Sequence, residues 1–257
     1  MTESDVIFQA QGLTKNFAGL IAVNDLHVDL RQGEILGLIG PNGSGKTTFF
    51  NVINGVYEAT AGRVEHRGTE ITNWPSYRVA GHGITRTFQN SRVLLNASAL
   101  ENAMVGGHLH AKTGFFKTLF SSADARAREA KVREEAIANL AFVGLADYAD
   151  ETARNMPYGA IKRLEIARAL STRPDILMLD EPAAGLNPSE AENLMSLVQQ
   201  LHEAGKTIFI IEHNMRVVMG LCQRIIVIEA GIKIAEGEPK EIRNDPRVKE
   251  AYLGKGA

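Results

Sequence analysis

The run from Gly40 to Thr47, Gly-Pro-Asn-Gly-Ser-Gly-Lys-Thr, constrains the fold of this chain more than any other feature. It follows the apolar run Ile35–Ile39, which is typical of a buried parallel strand, and it precedes a helical pattern at Thr47–Asn54 that Gly55 ends. This order of strand, loop and helix is the context of the pattern G-x-x-x-x-G-K-[ST], in which glycines let backbone N–H groups approach phosphate oxygens. The sequence therefore predicts an α/β nucleotide-binding core.

The residues of this loop have distinct expected roles at a nucleotide. Lys46 supplies a positive charge for the β- and γ-phosphates, Thr47 offers its hydroxyl to Mg²⁺, and the following helix presents its positive end to the same anion. A glycine-rich turn without a ligand is the alternative, and the flanking strand and helix disfavour it. The residues of this segment that we expect at the nucleotide are Gly40, Pro41, Asn42, Gly43, Ser44, Gly45, Lys46, Thr47 and Thr48.

A pair of carboxylates, Asp180 and Glu181, follows a second apolar run at Ile176–Leu179. At a strand end beside the phosphate loop, Asp180 would hold Mg²⁺ through its water shell, and Glu181 would polarise the attacking water as general base. A strand that simply ends in a polar turn is the alternative, and it loses weight because the phosphate loop is also present. The absence of an Asn-Lys-x-Asp guanine-reading motif disfavours a GTPase.

The remaining apolar pattern predicts strands that alternate with helices. Leu26, Val28 and Leu30 alternate with polar residues, which indicates a strand with one buried face. Another buried strand is expected at Thr207–Ile211, after a helix at Ser189–Ala204. Such alternation is typical of a parallel sheet covered by helices.

From about residue 90 the pattern becomes helical. A charged, alanine-rich helix is predicted at Ser122–Val143, ended by Gly144, and we expect a helical lobe over residues 90–160. Closer to the C-terminus, the short apolar runs Ile225–Glu229 and Ile232–Glu236 indicate a hairpin. The residues expected on the buried stripe of the long helix are Val132, Ala136, Ile137, Leu140 and Val143.

Charge and composition narrow the surroundings of the protein. The 257 residues carry a net charge of −2, which creates no field that favours nucleic acid or anionic lipid. Cys222 is the only cysteine, so it cannot form an internal disulfide, and we expect it to be a small buried residue in a reducing compartment.

The sequence shows no secretion signal and no apolar run near the roughly 20 residues that cross a bilayer, so we expect a cytosolic protein whose membrane contact goes through a partner. His108 and His110 lack acidic or cysteine neighbours, and we expect them to face solvent rather than to bind a metal.

The order of these motifs resembles that of the ABC transporter ATPase family over essentially the whole chain. The resemblance implies one ATP-binding domain over residues 1–257, with a RecA-like parallel-sheet core of the P-loop NTPase type, an N-terminal antiparallel β lobe and an inserted α-helical lobe. It also implies ATP and Mg²⁺ as cofactors. By position, Phe17 is similar to the family's adenine-stacking aromatic residue, Gln89 to the Q-loop glutamine that touches Mg²⁺ and senses the membrane partner, and His213 to the switch histidine at the γ-phosphate. Without the resemblance, Phe17 is equally consistent with a core aromatic residue.

The segment Met156–Ala160, ahead of a helix predicted at Ile161–Leu170, resembles the ABC signature LSGGQ with departures. Pro157 replaces the usual serine, so the hydroxyl and the N–H of that position are both missing. Tyr158 replaces a glycine, and Gly159 keeps the common residue. The resemblance implies that Tyr158 and Gly159 close over the γ-phosphate held by a second cassette.

The loop after the acidic pair resembles the family's D-loop. Asn187 stands where the family usually has aspartate, which keeps a hydrogen-bonding group and removes a charge at the dimer seam.

Several segments are similar to one subgroup, the cassettes of branched-chain or hydrophobic amino-acid importers. They are the Tyr-Gly of the signature, the following Arg-Leu-Glu-Ile-Ala-Arg-Ala-Leu, then Glu-Pro-Ala-Ala-Gly-Leu-Asn-Pro, Ile-Glu-His-Asn-Met and the closing Ala-Tyr-Leu-Gly. The basic stretch Lys112–Arg133 also suits this subgroup, and a solvated helix face accounts for it equally well.

The resemblance also implies partners and a location. It implies a homodimer or heterodimer with a second ATP-binding cassette, two transmembrane permease subunits and, indirectly, a periplasmic substrate-binding protein. The chain would then be a peripheral protein on the cytoplasmic side of the inner membrane, with no nucleic-acid partner. The alternatives are an exporter cassette, such as one serving lipopolysaccharide transport, an ABC protein acting on DNA or ribosomes, and a regulatory ATP-binding module with little turnover.

Overall fold

The computed structural model describes residues 5–87, 93–107 and 122–253. Its contacts divide the chain into two compact units. The first unit is built from the residues up to Val79 and from Met178 onward, and the second from Ala80–Leu177. The predicted helical lobe at residues 90–160 falls within the range of the second unit.

The secondary structure alternates strands and helices along most of the chain. The strands are β1 (Val6–Phe17), β2 (Leu20–Arg31), β3 (Ile35–Ile39), β4 (Ala61–His66), β5 (Thr69–Glu70), β6 (Ile84–Arg86), β7 (Ile176–Asp180), β8 (Thr207–Ile211), β9 (Arg224–Glu229) and β10 (Ile232–Gly237). The α-helices are α1 (Lys46–Ile53), α2 (Ser76–Gly81), α3 (Ala99–Gly107), α4 (Ser122–Phe142), α5 (Tyr158–Leu170), α6 (Pro188–Glu203), α7 (Met215–Leu221), α8 (Pro239–Asn244) and α9 (Pro246–Leu253). Within the described ranges, no helix has both the length and the apolar character needed to cross a membrane.

The first unit contains an antiparallel sheet in the order β2-β1-β4-β5. The alternation predicted in β2 is confirmed, because Leu26, Val28 and Leu30 are buried while His27 is exposed. A half-buried antiparallel sheet needs this period of two, since successive side chains point to opposite faces.

The same unit holds the sheet that positions the phosphate loop, in the order β10-β9-β3-β8-β7. Strand β3 lies in its centre and pairs in parallel with β8 and with β9. The predictions for β3 and β8 are confirmed residue for residue, because both are continuous apolar runs that are buried on both faces. The predicted hairpin is confirmed as the antiparallel pair β9 and β10.

Helix α1 packs on this sheet through aromatic residues. Phe49 and Phe50 are fully buried, and the ring centroids of Phe50 and Phe209 lie 4.9 Å apart in an edge-to-face arrangement. Cys222 is buried as predicted. Its sulfur packs against Gly37, where an added Cβ atom would lie only 2.8 Å from it. Burial raises the pKa of the Cys222 thiol to about 12, so this cysteine is an inert core residue.

The second unit is mainly helical, and its long helix α4 ends at Phe142, followed by Gly144 in a left-handed conformation. Arg163 of α5 donates to the carbonyl oxygens of Val143 and Gly144, at 3.2 and 3.1 Å, and so satisfies the C-terminal end of α4. Strand β6 meets the start of β7, since the N–H groups of residues 175 and 176 both donate to the Gly83 carbonyl.

The prediction that Ile137 belongs to the buried stripe of α4 is wrong. Ala136, Leu140 and Val143 are buried and Val132 is half-buried, whereas Ile137 is 43% exposed. The physical reason is the helical period, because one residue turns the helix by about 100° and places Ile137 to the side of the face that Ala136 occupies. His108 and His110 lie outside the described residues.

Arg224, at the start of β9, is the centre of an ionic network in the first unit. Its guanidinium donates to Glu34 at 2.8 Å and to Asp29 at 3.0 Å, and it also pairs with Glu236. Burial acts to lower the Arg224 pKa, but the hydrogen bonds and charges of Glu34 and Asp29 outweigh it, and the pKa lies above its ordinary value. The network joins β2, β9 and β10.

We expect Arg224→Met to lower the free energy of unfolding by about 3 kcal/mol, because three carboxylates would lose their shared partner. The matched control is Arg216→Met, which removes an arginine from an exposed pair with Glu192, and which should cost less than about 1 kcal/mol. Urea unfolding of the two variants measures the difference. Equal losses would show that the network adds no more than a surface ion pair.

Candidate active site

The phosphate loop connects the end of β3 to the start of α1, and two of its glycines are required by close backbone contacts. An added Cβ atom at Gly40 would lie 2.1 Å from the carbonyl oxygen of Ile228. At Gly45, which precedes α1 with a φ of 101°, it would lie 2.2 Å from the carbonyl oxygen of Ala22. Since no side chain fits at either position, glycine lets the loop backbone lie directly against the protein behind it.

The loop is held from behind by the hairpin turn between β9 and β10. The N–H of Gly231 donates to the carbonyl oxygen of Ser44 at 2.9 Å, and the Gly231 carbonyl accepts from the N–H of Asn24 at 2.9 Å. The hairpin turn therefore supports the phosphate loop at Ser44, and β2 in turn holds the hairpin turn through Asn24. A preorganised loop binds an anion without a further cost of ordering.

Lys46, the first residue of α1, lies inside the curve of the loop. Its amine donates to the carbonyl oxygens of Gly40 and Pro41, at 2.8 and 2.9 Å, and the residue is only 6% exposed. Burial lowers the Lys46 pKa, while the negative charges of Glu181 and Asp180 act in the opposite direction. The Lys46 amine therefore lies within electrostatic reach of both carboxylates.

The two carboxylates stand at the end of β7. Asp180 is 1% exposed, and Glu181 follows it in a left-handed conformation with a φ of 48°. This backbone conformation is uncommon outside glycine and is retained at functional turns when surrounding contacts enforce it. One such contact is the hydrogen bond from the N–H of Glu181 to the carbonyl oxygen of Ile211, at 2.9 Å.

His213 lies across from Glu181, one strand away. Its Nδ1 atom is 3.9 Å from the Glu181 carboxylate, beyond hydrogen-bond distance, and its side chain is largely exposed. The structure thus brings together the histidine and the acidic pair that the sequence separates by more than thirty residues.

Sequence reasoning missed Glu212, which precedes this histidine. Its buried carboxylate accepts hydrogen bonds from the N–H groups of Ala183, His213 and Asn214. An acidic residue at the end of an apolar strand, next to the histidine, was the available signal.

Phe17 ends β1, and its side chain is partly exposed. Its ring centroid lies 5.3 Å from that of Tyr57 in an edge-to-face contact, and the Lys15 amine lies 4.8 Å from the same ring. Tyr57 was not singled out from the sequence. It orients the Phe17 ring, because edge-to-face pairs are favourable and directional.

In the second unit, the signature segment lies at the start of α5. This helix begins at Tyr158, three residues earlier than predicted, with Pro157 as its N-cap residue. The correction has a physical reason: Pro157 has no N–H to leave unsatisfied, and its carbonyl accepts the N–H groups of Ala160 and Ile161, at 2.9 and 3.0 Å. Tyr158 and Gly159 therefore belong to the first helical turn, where the helix dipole favours an anion.

Asn187, in the loop that resembles the D-loop, caps a helix of its own chain. Asn187 is the N-cap of α6 and forms a capping box with Glu190, with two reciprocal hydrogen bonds of 3.0 Å. Asparagine provides this cap as well as the family's usual aspartate would, since both residues are good N-cap acceptors.

The predicted Mg²⁺ ligands are Thr47, Asp180 and Gln89, and Gln89 lies outside the described residues. Thr47 is in the first turn of α1, and Asp180 acts on the neighbouring Lys46 charge. Hydroxyl and carboxylate oxygens are the donors that Mg²⁺ prefers, with substrate phosphates completing the shell, so these residues fit the ion. Among the described residues, no group of three His, Cys, Asp or Glu side chains forms an all-protein metal site.

Comparisons with known proteins agree with this geometry. A family model described as "ABC transporter" matches residues 23–184, and one described as "Branched-chain amino acid ATP-binding cassette transporter" matches residues 233–257. The chain is 43% identical to the high-affinity branched-chain amino acid transport ATP-binding protein BraF of Pseudomonas aeruginosa, over 96% of this chain and 98% of that protein. It is 42% identical to the corresponding protein LivG of Escherichia coli, over 98% of this chain and 99% of that protein.

Solved structures show the same fold. A nucleotide-free ATP-binding cassette from an ABC transporter superposes with a TM-score of 0.85 at 33% identity, covering 97% of this chain and all of that one. An ABC transporter cassette in its ADP conformation gives 0.84 at 32% identity, covering 97% of this chain and 99% of that one. Together with the arrangement of the phosphate loop, the acidic pair and the histidine, these matches show that the chain belongs to the ATP-binding cassettes of ABC transporters.

Proposed function

We propose that this chain binds and hydrolyses ATP to power the import of branched-chain amino acids. The observation that carries the ATPase assignment is the placement of Glu181 at a strand end, in the electrostatic environment of Lys46 and 3.9 Å from His213. The amino-acid assignment is supported by relatives of that named function along nearly the whole chain and by the family match at residues 233–257. The whole chain, 1–257, acts as one cassette with a helical lobe at about residues 90–160.

The proposed binding roles follow from position. Phe17 stacks on the adenine. The loop from Gly40 to Gly45 and the start of α1 surround the phosphates. When ATP binds, the Lys46 amine leaves the loop carbonyls and bonds to oxygens of the β- and γ-phosphates. Thr47, Asp180 and Gln89 hold Mg²⁺, which offsets negative charge on the phosphate oxygens.

The proposed catalytic roles use the two strand ends. Glu181 accepts a proton from the water whose oxygen bonds to the γ-phosphorus atom, while the bond from that phosphorus to the β–γ bridging oxygen breaks and ADP leaves. His213 donates a hydrogen bond to the γ-phosphate. Gln89, by its resemblance to the Q-loop glutamine, is proposed to signal the state of the nucleotide to the membrane partner.

Each site is completed by a second cassette, identical or different, which contributes the first turn of α5 with Tyr158 and Gly159. Two permease subunits carry the substrate across the membrane, a periplasmic binding protein delivers it, and the cassettes act on the cytoplasmic side of the inner membrane. The support for this arrangement is the membership in the ABC family and the exposed helix N-terminus at the signature. A nucleic-acid partner has no support in the charge of the chain.

The unusual signature gives a prediction about closure of the dimer. We expect Pro157→Ser to strengthen ATP-dependent dimerisation several-fold, roughly 1 kcal/mol, because serine adds an N–H and an N-cap hydroxyl at the phosphate-facing turn. Pro157→Ala restores only the N–H and separates the two contributions. Sedimentation velocity with ATP, in the Glu181→Gln background, measures the dimer fraction. If the dimer fraction of Pro157→Ser equals that of the protein with Pro157, residue 157 does not contribute to the contact with the nucleotide of the second cassette.

The proposed function is tested by phosphate release from the complex with its membrane subunits. Adding the binding protein loaded with leucine should raise the rate, and adding it empty should have a smaller effect. A rate that responds to lipopolysaccharide and not to the loaded binding protein would support the exporter alternative. A rate that stays at background under all conditions would support the low-turnover regulatory module.

A further inference from the structure

The side chain of Glu212 lies between the two loops that carry Glu181 and His213. It follows β8 directly and is 0% exposed. One carboxylate oxygen accepts the N–H of Ala183 at 2.8 Å, and the other accepts the N–H groups of His213 and Asn214, at 3.0 and 3.2 Å. Both oxygens are therefore used, each toward a different loop.

The contact to Ala183 fixes the turn that follows Glu181. Ala183 lies two residues beyond Glu181, whose own N–H donates to the Ile211 carbonyl at 2.9 Å. The strand ends of β7 and β8 are thus cross-linked twice, once through the backbone and once through Glu212. These two bonds hold Glu181 in its left-handed conformation and so set the direction of its side chain.

The contacts to His213 and Asn214 fix the other loop. The Asn214 side chain accepts the N–H of Arg216 at 3.0 Å and so caps α7, which continues the loop. The His213 imidazole is largely exposed and lies beyond hydrogen-bond distance of Glu181. The two side chains do not bond to each other, so their relative placement depends on the two backbones that carry them, and Glu212 joins these backbones.

We propose that Glu212 is a positioning residue that sets the placement of Glu181 relative to His213 for ATP hydrolysis. This inference rests on the proposed function, in which both residues face the γ-phosphate. A carboxylate suits the task because it only accepts hydrogen bonds, and all three of its partners are donors. Glu212 acts through these two loops and does not itself touch the nucleotide.

The test compares Glu212→Gln with the wild-type full-length chain. Glutamine keeps the size but replaces one acceptor oxygen by an NH₂ donor, so one loop loses its acceptor and faces a second donor. We expect kcat for phosphate release to fall between about 10- and 100-fold, with KM for ATP within about twofold, because small misplacements of a catalytic group have effects of this size. Glu212→Asp keeps both acceptors on a shorter side chain and should give an intermediate kcat, which keeps the test valid if Glu212→Gln does not fold.

Two controls separate positioning from a loss of stability. Glu34 is also a buried glutamate, bonded to the Arg31 N–H and to Arg224. It precedes β3 and so lies at the amino ends of the parallel strands, away from Glu212 at their carboxyl ends, so Glu34→Gln should lower the melting temperature without changing kcat. In the Glu181→Gln background, Glu212→Gln should lower the remaining rate by less than about twofold, because coupled residues are not additive.

The outcomes that overturn the inference are distinct from failure of the proposed function. A wild-type kcat in folded Glu212→Gln or Glu212→Asp would overturn it, and so would effects of Glu181→Gln and Glu212→Gln that multiply. Wild-type phosphate release that Glu181→Gln leaves undiminished would refute the proposed function and the inference together.

Discussion

Replacing Glu181 with glutamine is expected to lower ATP hydrolysis at least about 100-fold while ATP affinity stays within about twofold, because a general base contributes a factor of this size. Glutamine keeps the shape of the side chain and the left-handed turn, and it removes the group that accepts the proton of the attacking water. It also removes one negative charge that acts on Lys46, so binding of the anionic nucleotide should not weaken.

Steady-state phosphate release and the quenching of a fluorescent ATP analogue measure the two quantities separately. The matched control is Glu192→Gln, which removes an exposed carboxylate paired with Arg216 and should leave both quantities unchanged. Hydrolysis by Glu181→Gln at the wild-type rate would show that the water is activated elsewhere.

Replacing Lys46 with methionine should weaken ATP binding about 100-fold, equivalent to roughly 3 kcal/mol, because the phosphates lose a charged hydrogen-bond donor. The stability of the folded protein should change much less in Lys46→Met. The buried amine bonds to two loop carbonyls, but burial also lowers its pKa, so its positive charge is held in the folded protein at a cost. The amine is thus placed for the ligand more than for stability.

Isothermal titration with ATP and thermal unfolding are the measurements for Lys46→Met. Lys240→Met removes an exposed lysine of α8 and serves as the control, with no expected change in either quantity. The interpretation of Lys46 fails if Lys46→Met binds ATP as tightly as the wild type.

The phosphate loop and its flanking elements were predictable from the sequence because their determinants are local. The bounds of β3 and β8 follow from apolar runs closed by a change of residue type, and glycines mark the loop between β3 and α1. The predicted β7 lacks only its last residue, Asp180, which continues the strand although it is charged. A functional carboxylate at a strand end cannot be told from a loop residue by hydropathy.

The parts that sequence patterns did not predict depend on contacts between distant residues. Glu212 bonds to the N–H of Ala183, 29 residues earlier in the chain, and no local period marks such a contact. Tyr57 meets Phe17 only because β1 ends beside the segment after α1. The start of α5 at Tyr158 was displaced because a proline N-cap and a glycine in the first turn both read as loop residues.

The central claim, ATP-driven import of branched-chain amino acids, is tested most directly by uptake of radiolabelled leucine into proteoliposomes. The vesicles hold this chain with its membrane subunits, with ATP enclosed on the side of the cassettes and the loaded binding protein outside. We predict that leucine accumulates inside only when ATP is enclosed, and that vesicles with Glu181→Gln show no accumulation. Vesicles that hydrolyse ATP with the wild-type chain but do not accumulate leucine would contradict the claim.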